Sequence, residues 1–318
     1  SWSEAGRMSE LILHHYPTSP FAEKVRLILG HKQLAWKSVF IPMVMPKPDL
    51  TALTGGYRKT PVLQIGADIY CDTALICDVL EQLSPTPTLY PAAVQGAARI
   101  VAQWADSALF TASMAYNFQP AGVAQVFAGV PAEGVQAFVA DRTAMRSGAA
   151  RMASSDATGT YKSYLHRIGS MLDSQDFLFG TQPCVADFAV YHPIWFTQER
   201  TPALAGILDA TPEVQSWMAR MKAIGHGTVG KCSAEEALQT ARSSTPVAVQ
   251  AEVFQDEHGI ALGNQVVIAA DNFGLEPTQG ELIAASNNRY TLRRSDERAG
   301  TVHVHFPRVG FTLKKVSP

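Results

Sequence analysis

Ser19 follows a strand-like run at the point where a helix is expected to begin, and its hydroxyl could stabilise an anion. The run Leu11–Tyr16 is largely apolar, and Pro20 is a residue type favoured at the first helical position. A hydroxyl at a helix N-terminus can donate a hydrogen bond to an anion, and the helix dipole acts in the same direction. A serine in this setting is also an ordinary N-cap, and the two roles are compatible.

Two further features lie downstream of Ser19. Thr60 and Pro61 place a proline directly before a second strand-like run, where proline is also common as a plain strand-initiating residue. Asp72 and Thr73 place an acid and a hydroxyl at the start of another helix, where both residue types act as caps.

Hydrophobic periodicity predicts a mixed α/β region around these residues. A proline-rich linker, Ser84–Thr88, closes it. The expected elements are a strand at Leu11–Tyr16, a helix from Pro20 to about Gly30, a strand at Trp36–Ile41, a hairpin of Pro61–Ile65 and Ile69–Cys71, and a helix starting at Asp72.

From Val94 to about Arg242 the pattern is helical. The expected elements are helices at Gln95–Ala115 and Tyr161–Leu172, a buried apolar segment at Val185–Trp195, and a last helix starting with the capping-box spacing of Ser233–Glu236.

After a second linker, Ser243–Pro246, the pattern changes to short strands separated by Gly, Asn and Asp, which suggests a small β-barrel or sandwich. The fold class is therefore multidomain, α/β then all-α then all-β, with domains at 8–88, 94–242 and 246–318. The strands are expected at Val247–Val253, Gln265–Ala270, Glu281–Ala285, Tyr290–Arg294, Thr301–Phe306 and Gly310–Lys315.

Composition narrows the function classes. The 318 residues are 47% hydrophobic with a formal charge of -2, and the last region has seven Arg and Lys against eight Asp and Glu, so nucleic acid is an unlikely partner. No apolar run reaches membrane-spanning length, and four scattered cysteines read as reduced thiols, so the cytoplasm is the expected location. Ser1–Arg7 look unlike the rest of the sequence and are excluded from the fold prediction. The native chain is therefore expected to begin at Met8.

These motifs, in this order, resemble the glutathione transferase family over roughly Leu11 to Arg242. Ser19–Arg26 (Ser-Pro-Phe-x-x-Lys-Val-Arg) is similar to the serine-type classes, the plant tau class especially, and the omega class has cysteine at the Ser19 position. The resemblance implies a thioredoxin-like N-terminal domain, a helical second domain, a homodimer, and glutathione as co-substrate without a metal. In Pro183–Phe188, Cys184 replaces the family's usual Ser or Thr, which weakens that helix cap while Asp187 can still act.

The resemblance also assigns site residues. Ser19 would stabilise the glutathione thiolate, with Tyr16 as runner-up donor. Pro61 would be a cis-proline that turns the Val62 backbone toward the tripeptide. The remaining expected contacts are Asp72 and Thr73 with the γ-glutamyl end, and Lys59 or Arg58 with the glycyl carboxylate.

The electrophile would be hydrophobic and would bind near Trp104, Phe110 and Tyr116, aromatic residues that core packing explains equally well. His303 and His305 share one strand face, and we interpret them as solvated residues rather than metal ligands.

Three functions fit this site. The preferred one is a detoxifying transferase that conjugates glutathione to an electrophile. Glutathione-dependent peroxide reduction or ether cleavage would begin with the same thiolate. A non-catalytic binding or interaction protein would keep the same tripeptide contacts, with the C-terminal β region as its functional part.

Overall fold

The computed structural model describes residues 9–249 and 253–317. Within those ranges, none of the helices combines the length and apolarity needed to cross a membrane. Ser1–Arg7 and Met8 lie outside the described residues, as do residues 250–252 of the predicted strand Val247–Val253. The described remainder of that segment, residues 247–249 and 253, has no regular secondary structure.

The N-terminal part is the predicted thioredoxin-like unit. Its elements are β1 Leu11–His15, α1 Pro20–His31, β2 Ala35–Phe40, α2 Pro48–Thr54, β3 Val62–Ile65, β4 Asp68–Cys71 and α3 Thr73–Leu83. β1 is parallel to β2 and antiparallel to β3, which in turn pairs antiparallel with β4. Helix α2 was not predicted from the sequence, because seven residues are too few for a clear helical period.

The second part is helical, as predicted. Its α-helices are α4 Gln95–Trp104, α5 Phe110–Asn117, α6 Pro120–Val126, α7 Ala132–Arg146, α8 Ser154–Met171, α9 Val185–Arg200, α10 Pro212–Lys222 and α11 Ala234–Ser243. A 3-10 segment, Pro202–Ala210, precedes α10, and β5, Thr228–Lys231, pairs in parallel with β2.

The helix predicted at Gln95–Ala115 is interrupted. A π-helical turn, Ala105–Leu109, separates α4 from α5 and carries Asp106. A π-turn shifts the helical register, so Asp106 does not continue the regular face of α4, and such turns are frequent at functional sites.

Side-chain caps fix two helices of this part. Ser233 and Glu236 form the predicted capping box, with reciprocal bonds of 3.1 and 3.2 Å to each other's backbone N–H. At α9, the buried Asp187 accepts from the Cys184 and Leu178 N–H groups and from the Trp217 indole, each at 2.9 Å. The acid of that cap therefore acts as expected although cysteine replaces the hydroxyl residue.

The C-terminal strands extend the thioredoxin-like sheet. They are β6 Gln265–Ala270, β7 Thr278–Ala285, β8 Arg289–Asp296, β9 Gly300–Pro307 and β10 Phe311–Lys315. β9 pairs in parallel with β4, which gives one ten-stranded sheet in the order β10-β6-β7-β8-β9-β4-β3-β1-β2-β5. The predicted barrel closure is not confirmed, since this order is open, and the predicted boundary at 246 falls between strands of a single sheet.

Side chains at the β4–β9 junction correct the interpretation of the two C-terminal histidines. His303 and His305 are 4% and 7% exposed, so they are not solvated. The Asp68 carboxylate lies 2.8 Å from His305 Nε2 and accepts from the Val247 N–H at 2.9 Å. The error arose because an alternating strand pattern cannot show that its polar face meets another domain.

The sheet has a core on each face. One packs α1 and α3 against the helical part. The other combines residues of all three parts, among them Ile69 of β4, Leu238 of α11 and Phe306 of β9. The C-terminal strands thus share a core with the unit that carries the candidate site.

Candidate active site

Ser19 caps α1, as its sequence context predicts. Its backbone is extended, with φ -73° and ψ 121°, and its Oγ accepts from the Ala22 N–H at 3.2 Å. The residue is 2% exposed, and within the described residues its hydroxyl hydrogen has no acceptor. The hydroxyl can therefore cap the helix and still donate a hydrogen bond to a ligand, in surroundings where charge interactions are stronger than in water.

The Thr60–Pro61 peptide is cis, as the resemblance implies. Val62 lies opposite His14 on β1 and opposite Cys71 on β4, so strands flank its backbone on both sides. The predicted pairing of Val62 with an added peptide strand would therefore have to displace one of these strands, whereas Thr60, the residue before the proline, precedes β3. The Thr60 hydroxyl is buried without a partner among residues 9–249 and 253–317.

Asp72 and Thr73 stand at the head of α3. Asp72 adopts φ 77°, a left-handed conformation that is costly for a non-glycine residue and common at functional sites, and its carboxylate accepts from the Ala74 N–H at 3.0 Å. Burial raises the pKa of Asp72, while the ammonium groups of Lys59 and Lys24 oppose that shift. Thr73 is 5% exposed, and its hydroxyl accepts from Lys24 Nζ at 3.0 Å.

The two cations beside the proline turn differ in availability. The Arg58 guanidinium is buried and lies 2.6 Å from Asp141 and 3.5 Å from Glu276. The Lys59 ammonium lies over the Tyr57 and Phe311 rings, 5.8 and 5.7 Å from their centroids. Burial lowers the pKa of Lys59, against the opposing charges of Asp72, Asp271 and Glu276. The geometry favours Lys59 over Arg58 as the cation open to a ligand carboxylate.

Residues after β6 border this side of the site. Glu276 reaches Arg58, the Gly274 N–H donates to the Met145 carbonyl at 3.0 Å, and a Cβ on Gly274 would lie 3.1 Å from the Lys59 side chain. No local sequence pattern indicates this contact, because it joins segments far apart in the chain.

Tyr16, the alternative donor, has a partner that the sequence did not suggest. Its phenol oxygen accepts from the Arg142 guanidinium on α7 at 3.2 Å. The phenol can still donate its own hydrogen, so Tyr16 stays a possible second donor.

A buried charge network lies next to Thr73 and was also missed. Lys24 is 1% exposed, and its Nζ lies 2.7 Å from Asp106, whose other oxygen lies 2.9 Å from His192 Nε2. Burial alone would lower the pKa of Lys24, but Asp106, together with Cys77 and Asp72, more than offsets this effect and the pKa is raised. Burial would raise the pKa of Asp106, but Lys24 and His192 hold it below its ordinary value. At neutral pH the pair is therefore ionised. No local sequence pattern indicated this network, because Lys24 and Asp106 lie 82 positions apart.

The three predicted pocket aromatics do not meet at one place. Phe110 packs on Phe21, two residues from Ser19, with ring centroids 4.7 Å apart. Trp104 instead contacts Tyr164 at 5.0 Å, and Tyr116 is 7% exposed with its hydroxyl bonded to a backbone carbonyl at 2.7 Å. Only Phe110 adjoins the serine motif. In the described part of the chain, no His, Cys, Asp or Glu cluster of three or more is arranged for a metal.

The structure combines a thioredoxin-like unit, which carries a capping serine and a cis-proline, with a helical unit. Comparisons with known proteins identify the family that has this architecture. Residues 13–88 match the glutathione S-transferase N-terminal domain, and residues 152–224 match the C-terminal domain. A GST-like protein from Pseudomonas syringae, of known crystal structure, is 44% identical with a TM-score of 0.82, over 97% of this chain and 100% of that chain. The chain belongs to the glutathione S-transferase family.

Two curated proteins are more distant relatives. Pyrimidodiazepine synthase of Drosophila melanogaster is 33% identical over 76 residues, which are 23% of this chain and only 31% of that protein. FtsZ-localized protein A of Caulobacter vibrioides (strain NA1000 / CB15N) is 24% identical over 186 residues, 57% of this chain and 74% of that protein. The names of these relatives do not agree on one function.

Proposed function

We propose that this protein binds glutathione and activates its thiol for attack on a hydrophobic electrophile. The observation that carries the proposal is the Ser19 hydroxyl, which caps α1 through its oxygen and keeps its hydrogen for a ligand. Free thiols have a pKa of about 8.5, so a downward shift of about two units, worth roughly 2.7 kcal/mol, is needed for the thiolate to predominate at neutral pH. A hydroxyl donor and a helix N-terminus both act in that direction.

The remaining contacts follow the extended tripeptide. Its backbone would pair at Thr60, before the cis peptide bond. Its γ-glutamyl end would bind at Asp72 and Thr73, and its glycyl carboxylate at Lys59. The electrophile would lie near Phe110, the predicted pocket aromatic closest to Ser19. A homodimer, a cytoplasmic location and a detoxifying role are further parts of the proposal.

Titration of glutathione into wild type and Ser19→Ala, read by calorimetry and by the ultraviolet absorbance of the bound thiolate, tests this function. We expect wild type to bind with a strong thiolate signal and the signal of the variant to be weaker by about fourfold or more, in line with the loss of a hydrogen bond to a charged group. Tyr16→Phe is the matched control, and loss of the signal there alone would transfer the donor role to Tyr16. Absence of glutathione binding to wild type would refute the proposal.

A second function is favoured by one comparison. The similarity to FtsZ-localized protein A extends over 57% of this chain and 74% of that protein, and that name describes localisation rather than catalysis. A glutathione-binding protein without turnover would show calorimetric binding but no thiolate signal in the same experiment. Peroxide reduction and ether cleavage remain alternatives for the activated thiolate, and a screen of electrophiles, peroxides and aryl ethers separates them.

A further inference from the structure

We propose that Lys24 is a positioning residue that makes the Thr73 hydroxyl a hydrogen-bond donor to the γ-glutamyl carboxylate of glutathione. This inference rests on the proposed function and deepens it. Lys24 itself would not touch the substrate. Its role would be to set the direction of the Thr73 hydroxyl and to place a positive charge behind it.

The direction of the hydroxyl follows from what its neighbour can do. An ammonium group only donates hydrogen bonds, so the contact of 3.0 Å between Lys24 Nζ and Thr73 Oγ1 makes the hydroxyl oxygen the acceptor. The hydroxyl hydrogen must then point elsewhere. Among residues 9–249 and 253–317 it has no acceptor. Because Thr73 is the first residue of α3, its hydroxyl and the free N–H groups of that helix end can bind the same anion.

Burial makes this arrangement effective. Lys24 is 1% exposed and Thr73 is 5% exposed, so water does little to screen the ammonium from a ligand bound at the hydroxyl. A hydrogen bond in which the donor is itself polarised by a cation is stronger than an isolated one.

Asp106 explains why a buried lysine stays charged. Its carboxylate lies 2.7 Å from Lys24 Nζ and also accepts from His192 at 2.9 Å. The pair joins α1 to the π-helical turn of the second part. A purely structural ion pair would need only this contact, whereas Lys24 makes an additional one to the head of α3.

The test compares three ligands by calorimetry on wild type and Lys24→Met. They are glutathione, 4-aminobutyryl-cysteinylglycine, which lacks the γ-glutamyl carboxylate, and glutaryl-cysteinylglycine, which lacks the ammonium group. In wild type, loss of the carboxylate should weaken binding roughly tenfold or more. In Lys24→Met that ratio should fall severalfold, because the Thr73 hydroxyl and the helix N–H groups remain but the cation behind them is gone. The ratio for the ligand without the ammonium group should change much less, because Asp72 keeps Lys59 as a neighbouring cation.

Three controls keep the outcomes separate. Lys24→Arg should restore most of the ratio, and exposed Lys162→Met should change nothing. Lys24→Met/Asp106→Asn removes both buried charges, so it should show the same reduced ratio even where the single variant fails to fold. An equal weakening of all three ligands, with the carboxylate ratio unchanged, would overturn the inference and leave Lys24 structural. Absence of glutathione binding to wild type would instead refute the proposed function.

Discussion

The shared core predicts that a substitution in the C-terminal strands destabilises the unit that carries the candidate site. Phe306 on β9 is 1% exposed, and its ring lies 6.0 Å from that of Tyr57, in the loop before the cis-proline. Truncation of a buried phenylalanine to alanine costs about 3–5 kcal/mol. Because domains are stabilised by only about 5–15 kcal/mol, Phe306→Ala should remove a large share of the total.

Tryptophan fluorescence during urea unfolding is the assay that separates the parts. The chain has five tryptophans, and none lies after residue 217. Trp36, Trp104, Trp195 and Trp217 lie in the α/β and helical parts, so their signal reports those parts and not the C-terminal strands. If the sheet unfolds as one unit, Phe306→Ala should lower the urea concentration at the midpoint of the fluorescence transition. The expected decrease is the lost free energy of unfolding divided by m, the slope of that free energy against urea concentration.

Val309→Ala is the matched control. Val309 lies just after β9 and is 67% exposed, so its truncation should change the free energy of unfolding by less than about 0.5 kcal/mol. The reasoning would be refuted if Phe306→Ala left the fluorescence transition unchanged and shifted only a separate transition seen by circular dichroism. That result would mean that residues 246–318 fold as an independent domain, as the sequence predicted.

Two further predictions concern protonation and ligand contacts. Burial lowers the pKa of His14 to about 4 and of His15 to about 3, from 6.5 in the unfolded chain. The unfolded chain therefore binds more protons below pH 6.5, and stability falls as the pH falls toward the folded values. At pH 5 each histidine should cost about 2 kcal/mol relative to pH 7, so His15→Asn should reduce the loss of stability between pH 7 and pH 5 by about 2 kcal/mol in urea unfolding, and an equal loss in both proteins would contradict the assignment. Lys59→Met should weaken glutathione about tenfold but leave γ-glutamylcysteine, which lacks the glycine, unchanged. Calorimetry with both ligands checks this, with Lys162→Met as control, and an equal weakening of both would exclude a glycyl contact.

The parts of the site that could be predicted from sequence are local. Ser19 before Pro20, and Asp72 before Thr73, are capping patterns in which a side chain bonds to backbone a few residues away, and the structure contains both caps. Such contacts depend on short-range geometry, which one stretch of sequence carries in full. Their proposed roles toward glutathione came from the family resemblance and stay predictions.

The parts that could not be predicted depend on contacts between distant segments. Lys24 and Asp106 are separated by 82 positions, and Tyr16 and Arg142 by 126. Lys24, Asp106 and Arg142 each have an ordinary interpretation as a surface charge on a helix, and Tyr16 as an aromatic residue at the end of a strand. Nothing in the local pattern of any of them indicates its partner. The π-helical turn adds to this, because it moves Asp106 off the face that a regular helix would give it.

The pairing of β4 with β9 is a contact that local sequence patterns do not predict, and for this reason the C-terminal strands were expected to form a separate domain. Short strands with turn residues between them predict a sheet, but strand pairing beyond a hairpin leaves no mark in the local pattern. The available signal was chemical. Asp68 occupies a short buried strand, and a carboxylate there needs partners. His305 provides one at 2.8 Å and the Val247 N–H another. Since β4 would otherwise be an open edge, the parallel pairing with β9 both satisfies that carboxylate and covers unpaired backbone groups.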